Sequence, residues 1–200
     1  TANGAKGVVA NIPYVTSVPF FTTVPINPIP GLPTASAAQL NQLFGAINQI
    51  TASLSQPNRF VTLVADDGNP ATTEQNPLLI IDESLPNLSA TITAVLTPAL
   101  GAATAGFVGN LYGRARHASN ATASKDYILL TARGVIGTTQ SGAPSPFNTV
   151  GVSYPMQDNT TLTASETAEV KTATDAFNSS IQSLATAKGL AFVDANAALS

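Results

Sequence analysis

From Thr163 to Ala195 the chain carries every boundary signal of a helix running directly into a strand, and this constrains the fold more than any other stretch. Thr163-Ala-Ser-Glu166 has the form of a capping box, in which the Thr hydroxyl and the Glu carboxylate each satisfy an amide left free at a helix start. Val170, Ala173, Phe177, Ile181 and Leu184 then recur at spacings of three and four, which predicts one apolar helix face. Gly189 supplies a left-handed stop after Lys188, whose charge suits the negative end of the helix dipole. A helix over 163–188 and a strand over 190–193 follow, the second half of a βαβ crossover. Asp194 falls at the carboxyl end of that strand, where open α/β sheets place their ligands.

Near the N-terminus, Gly4-Ala-Lys-Gly7 precedes Val8-Val9-Ala10-Asn11-Ile12, which Pro13 stops. This predicts a second short strand over 7–12. Neither strand alternates polar with apolar residues, so both are expected side by side and parallel in the covered interior of a sheet. The pieces 1–27 and 160–200 thus form an α/β core, and 28–159 is a large, mainly helical insertion expected to sit as a cap beside the sheet.

Between the two strands the signals are mixed. Tyr14 to Pro33 carries Pro19, Pro25, Pro28, Pro30 and Pro33 among Phe20, Phe21 and Ile26, which excludes a regular helix or central strand. It reads either as the wall of a ligand cleft or as a packed surface connection. Ser36-Ala-Ala-Gln39 opens a predicted helix to about Gln56, burying Leu40, Leu43, Phe44, Ile47, Ile50 and Leu54. Arg59–Val64 and Pro77–Ile81 flank the turn-rich Asp66-Asp67-Gly68-Asn69-Pro70 and suggest a small hairpin. Ser84 to Gly113 has no charged side chain, but Pro86, Pro98, Thr and Ser argue against a membrane span. Gly101, Ala105, Gly109 and Gly113 recur every fourth residue, a smooth helix face that suits either tight packing or a mobile apolar lid. Asn120 to Gly137 reads as another helix, and Gln140 to Thr161 as a loop.

Composition excludes several functions. Charged residues make up 10% of the 200, with 8 Lys+Arg against 11 Asp+Glu, so no basic field exists for nucleic acid. No Cys and a single His exclude thiolate chemistry and a His-rich metal site. With no Gly-rich phosphate loop, no cofactor is expected. A Ser-His-Asp triad within these residues would need His117, whose local sequence Gly113-Arg-Ala-Arg-His117 lacks a nucleophile turn and reads as a surface His near a helix end. Asp82-Glu83 and Asp66-Asp67 are the adjacent carboxylate pairs, open to acid/base or cation-binding work but reading as solvated turns. No catalytic, cofactor-binding or metal residue is therefore assigned from chemistry.

Three blocks together resemble the GDSL-like lipases of the SGNH hydrolase superfamily, closest to the long surface-lipoprotein versions of Bacteroidetes. These are Lys6-Gly-Val-Val-Ala-Asn-Ile-Pro13 with Val15–Pro25, Leu129-Leu-Thr-Ala132 with Val135-Ile-Gly-Thr138, and Glu169–Asn178 with Gly189–Asn196. The resemblance implies a partial flavodoxin-like three-layer sheet, ester or lipid hydrolysis, and residence in the bacterial periplasm or on the outer-membrane surface through an N-terminal anchor. It also implies that the remaining parts of a parent chain are partners. The family's Gly-Asp/Asn-Ser, Gly-x-Asn-Asp and Asp-x-x-His blocks do not occur in these residues, and the resemblance places them before Thr1 and after Ser200. The alternative from a different class is a non-catalytic binding or assembly component of a cell-surface complex.

Overall fold

The computed structural model describes residues 6–199, so Gly4 and Ala5 of the first turn lie outside the described residues. The architecture is mixed α/β, with strands β1 (Val8–Ala10), β2 (Ile29–Pro30), β3 (Gln75–Asn76), β4 (Leu79–Ile81), β5 (Ala115–His117), β6 (Tyr127–Ile128), β7 (Thr161–Leu162) and β8 (Ala191–Val193). The helices are α1 (Pro19–Thr22), α2 (Thr34–Ser53), α3 (Ser89–Leu100), α4 (Ala102–Tyr112), α5 (Ala164–Ala187) and α6 (Ala195–Ala198).

β1 and β8 pair in parallel, Val9 opposite Phe192, and α5 packs across both as the crossover pattern required. α5 starts at the expected capping box, with Thr163 N–H donating to the Glu166 carboxylate at 2.7 Å, and ends at Gly189 with φ +61°. Its apolar stripe is not covered, however. Phe177 is 59% exposed and Leu184 61%, while Thr174 and Ala185 are the buried positions. The strands are equally open, Val8 at 68% and Val193 at 49% exposed, so the expected covered interior is corrected: among the described residues this sheet has two strands.

The main core lies elsewhere, between Val24 and Met156. α2 buries Leu40, Phe44, Ile47 and Ile50, but it begins at Thr34 and leaves Leu54 exposed beyond its end. Phe44 stacks on Phe60 with ring centroids 4.6 Å apart, and Tyr112 meets both rings edge-on. α3 and α4 form an antiparallel pair turning at Gly101, whose φ of +75° a residue with a side chain would rarely adopt. The stripe of small residues is the seam of this pair. A Cβ at Gly109 would fall on the Thr93 hydroxyl and the Ser89 carbonyl, and one at Gly113 on the Ser89 and Asn87 side chains. Ile92, Leu96, Ala105, Val108 and Tyr112 are buried in the same cluster as Phe44. The lid reading is thereby corrected: α3 and α4 are core helices of the insertion. No helix among the described residues is long and apolar enough to cross a membrane.

The expected hairpin of 59–64 with 77–81 does not form. β4 instead pairs antiparallel with β5, Ile80 opposite Arg116, and its other edge bonds Gly151 and Met156. The segment 59–64 is held largely by asparagine amides. Asn48 Oδ1 accepts the Arg59 and Phe60 N–H groups at 3.0 and 3.1 Å, and Asn48 Nδ2 donates to the Phe60 carbonyl. Asn41, two helical turns earlier on α2, clasps Leu63 N–H and C=O in the same way, and Asn76 clasps Val64. A side-chain amide offers the donor and acceptor of a neighbouring strand, so these backbone groups are satisfied without a ladder.

The helix expected over 120–137 is also corrected. Residues 121–124 turn, β6 pairs with β7 and bridges Val24, and Leu130–Gly134 is a short 3₁₀ segment. Ile128 and Ala132 are buried, by strand pairing and the second core cluster.

Candidate functional site

At the carboxyl ends of β1 and β8, polar side chains extend the strand pairing. Asn11 Nδ2 donates to Asp194 at 2.7 Å and its Oδ1 accepts the Asn196 N–H at 2.8 Å. Asn178 of α5 clasps Ile12, accepting its N–H at 2.7 Å and donating to its carbonyl at 2.8 Å. Asp194 also caps α6, accepting the Ala197 N–H at 3.0 Å, and this bond with that from Asn11 holds its pKa below the usual carboxylate value. Its oxygen therefore fixes the chain end of the strand.

Beyond β1, Tyr14 leads into a 3₁₀ turn, Val15–Ser17, where the chain leaves for the insertion. A cleft of about 510 Å³ opens here. Its walls are Tyr14 to Thr16, the turn from Asn120 to Tyr127, and the first turns of α5 from Ala164 to Lys171. Of the two readings of the Pro-rich segment, its opening residues thus line a cleft, while Phe21 packs edge-on against Tyr127 behind it. Tyr14 donates to Asp175 and accepts from Lys171, which pairs with Asp175 at 2.9 Å.

A second, wider groove of about 860 Å³ is lined by Arg59, Asp82, Arg116 and His117. Here two expectations are corrected. His117 is not at the surface: it is 5% exposed on β5, edge-on to Phe44 and Phe60. Its Nδ1 accepts the Val61 N–H at 2.9 Å, while Nε2 is buried with no hydrogen-bond partner among the described residues. Burial pushes the imidazole pKa down to about 4. A triad base needs its Nδ1–H oriented by a carboxylate, and here that nitrogen is an acceptor, so His117 serves packing and not proton transfer.

Asp82 is likewise not a solvated turn residue, being 4% exposed. Arg116 Nε donates to it at 2.6 Å, and the two terminal nitrogens of Arg116 grip Asp126 at 2.6 and 2.7 Å. Burial works against the charge on Asp82, but hydrogen bonds from Ser84 and Arg116, with the Arg116 charge, outweigh it and lower its pKa. Burial also opposes the Arg116 charge, and the two carboxylates overcome that and raise its pKa. Asp126, fully buried, further accepts Ser119 N–H at 2.6 Å and Ala164 N–H at 2.8 Å, tying the insertion to the start of α5. Arg59 donates to the carbonyls of Pro86 and Gly113 and closes the mouth of the α3–α4 pair. The carboxylates of Asp82 and Asp126 are matched by Arg116, Ser84 and backbone amides as a structural charge network, and His117 Nε2 is left without a partner among the described residues. The sequence signal was available: charges flank the uncharged stretch 84–113 on both sides, and charged side chains that end up buried do so in pairs.

Asp66 and Asp67 are exposed turn residues as read, accepting the N–H groups of Gly68 and Asn69. With Glu74 they bring three carboxylates within 4.8 Å of one another, the residues most suited to a hard cation. Comparison with protein-family models, characterised proteins and solved structures finds no match to this chain.

Proposed function

We propose that this chain is an internal portion of an SGNH/GDSL-type ester hydrolase, supplying two strands of a flavodoxin-like three-layer sheet and a cap on its substrate side. The observation that carries the reading is where the insertion departs. The chain leaves past the carboxyl end of β1, the ligand side of a parallel sheet, and a cleft opens just beyond it between residues 14–16, the turn at 120–127 and the first turns of α5. Of the blocks that carry the family resemblance, the Pro-rich exit segment and the last residues of the Gly189–Asn196 block, Asp194 to Asn196, lie at this end. The exposed Val8, Val193, Phe177 and Leu184 support it as well, since further strands and a facing layer of a parent chain would cover them. On this reading the substrate is an ester or lipid, and the protein works in the periplasm or at the outer-membrane surface of a bacterium.

The nucleophile, the oxyanion donors and the base would come from the rest of the parent. Sequencing across both junctions tests this directly: a Gly-Asp/Asn-Ser block upstream and an Asp-x-x-His block downstream are expected. The parent protein should then hydrolyse p-nitrophenyl butyrate. Junctions without those blocks would favour the non-catalytic binding component.

A further inference from the structure

The cleft at the end of β1 has a chemical character that ester hydrolysis alone does not require. Its volume of about 510 Å³ falls in the range of small-molecule sites. Val15, Ala123, Ala168 and Val170 give it apolar walls. Two ammonium groups border it, Lys125 held 4.9 Å from the centre of the Tyr127 ring and Lys171 4.3 Å from that of Tyr14. No Asp or Glu lines it, although the chain carries a net charge of −3 and has only 8 Lys+Arg.

The two lysines differ in what they have left to give. Lys171 is paired with Asp175, whereas Lys125 makes its ring contact and, among the described residues, no ion pair. At the wall, Thr167 Oγ is buried without a hydrogen-bond partner among the described residues, a spare donor beside the cationic rim. Lys125 is exposed at the rim with its ammonium held near the Tyr127 ring, where it is free to pair with an anion entering the cleft. The apolar walls ask that the anion carry a hydrocarbon portion.

We propose that this cleft binds a small carboxylate with a short apolar tail, its carboxylate at Lys125 and its tail along Val15, Ala168 and Val170. As a subsite for the acid released from an ester it rests on the hydrolase reading. As a binding site it is measured without any turnover.

Titration of the ¹⁵N-labelled 200-residue chain with sodium butyrate at constant ionic strength tests it. Butyramide serves as the uncharged isostere and inorganic phosphate as the anion without a tail. Saturable shifts confined to 14–16, 120–127 and 164–171 are expected with butyrate, and much weaker ones with either control. Lys125→Gln should weaken butyrate about tenfold and Lys125→Arg should restore most of it, as loss and return of a charge-assisted contact. Lys125 is exposed, so a dispersed spectrum of each variant verifies that the fold is intact. Equal binding of butyramide, phosphate binding as tightly as butyrate, or shifts scattered over the surface would each overturn the proposal. An esterase-active parent whose cleft ignores butyrate would refute this subsite and leave the hydrolase reading standing. Butyrate binding beside an inert parent would do the reverse.

Discussion

Arg116 grips Asp126 through both terminal guanidinium nitrogens, and Asp126 in turn holds the first amide of α5, so one fully buried carboxylate joins the insertion to the α/β layer. Removing one partner of a buried pair strands the other charge. Asp126→Ala is therefore expected to cost about 3–5 kcal/mol in urea unfolding, well above a surface ion-pair deletion. A loss under about 1 kcal/mol would mean that the Asp82–Arg116 contact suffices by itself.

Asn48 stands in for a missing strand. Asn48→Ala leaves the amides of Arg59 and Phe60 and the Phe60 carbonyl without these partners, and should destabilise by about 2 kcal/mol or more. Hydrogen exchange should show the loss concentrated at 59–64. Uniform weakening across the chain would indicate that the clasp is dispensable locally.

Gly109→Ala should separate α3 from α4. The added methyl meets the Thr93 hydroxyl and the Ser89 carbonyl, and the overpacking cost is about 1–3 kcal/mol despite the better helix propensity of Ala. If the pair were a loosely held lid, the same substitution would leave the melting temperature unchanged or raise it.

The single imidazole can be titrated alone by NMR. Its folded pKa of about 4 lies below the ordinary value, so the unfolded chain binds the proton first as pH falls. Stability should decline from about pH 6.5 down to about pH 4 by roughly 3 kcal/mol and then lose no more through this group. Asp82, whose pKa is depressed in the folded state, contributes stability above its unfolded pKa that is lost on further acidification. A His117 midpoint near 6.5 would contradict the burial geometry.

The 200-residue chain alone should not turn over p-nitrophenyl esters, because His117 spends Nδ1 on the Val61 amide. Activity that copurifies with the chain and disappears in His117→Ala would defeat this expectation.

The βαβ pattern anticipated the parallel pairing of β1 with β8, and local chemistry and periodicity were enough to specify α5, its capping box and its glycine stop. Those signals act over a few residues and do not depend on what covers them. The buried face of α2 was legible for the same reason, and so was the glycine seam of α3 and α4, though not its place in the core. Where tertiary contacts set the outcome, the sequence was silent or misleading. Residues 59–64 have strand composition, yet Asn41, Asn48 and Asn76, scattered along the chain, satisfy their backbone. Residues 120–137 show apolar spacing close to helical, yet Asp126 must reach Arg116 and Ala164, and β6 must reach β7, which an intervening helix would prevent. His117 and Asp82 look like surface polar residues, and only the packing of β5 between β4 and the 59–61 segment buries them. The candidate cleft gathers Tyr14, Lys125 and Lys171 from three separated segments, of which the Pro-rich one signalled a wall in the sequence and the other two were set by tertiary contacts. The physical reason is range: caps and periodicities are local free energies, whereas burial, side-chain clasps and clefts are decided by which distant segments the fold brings together.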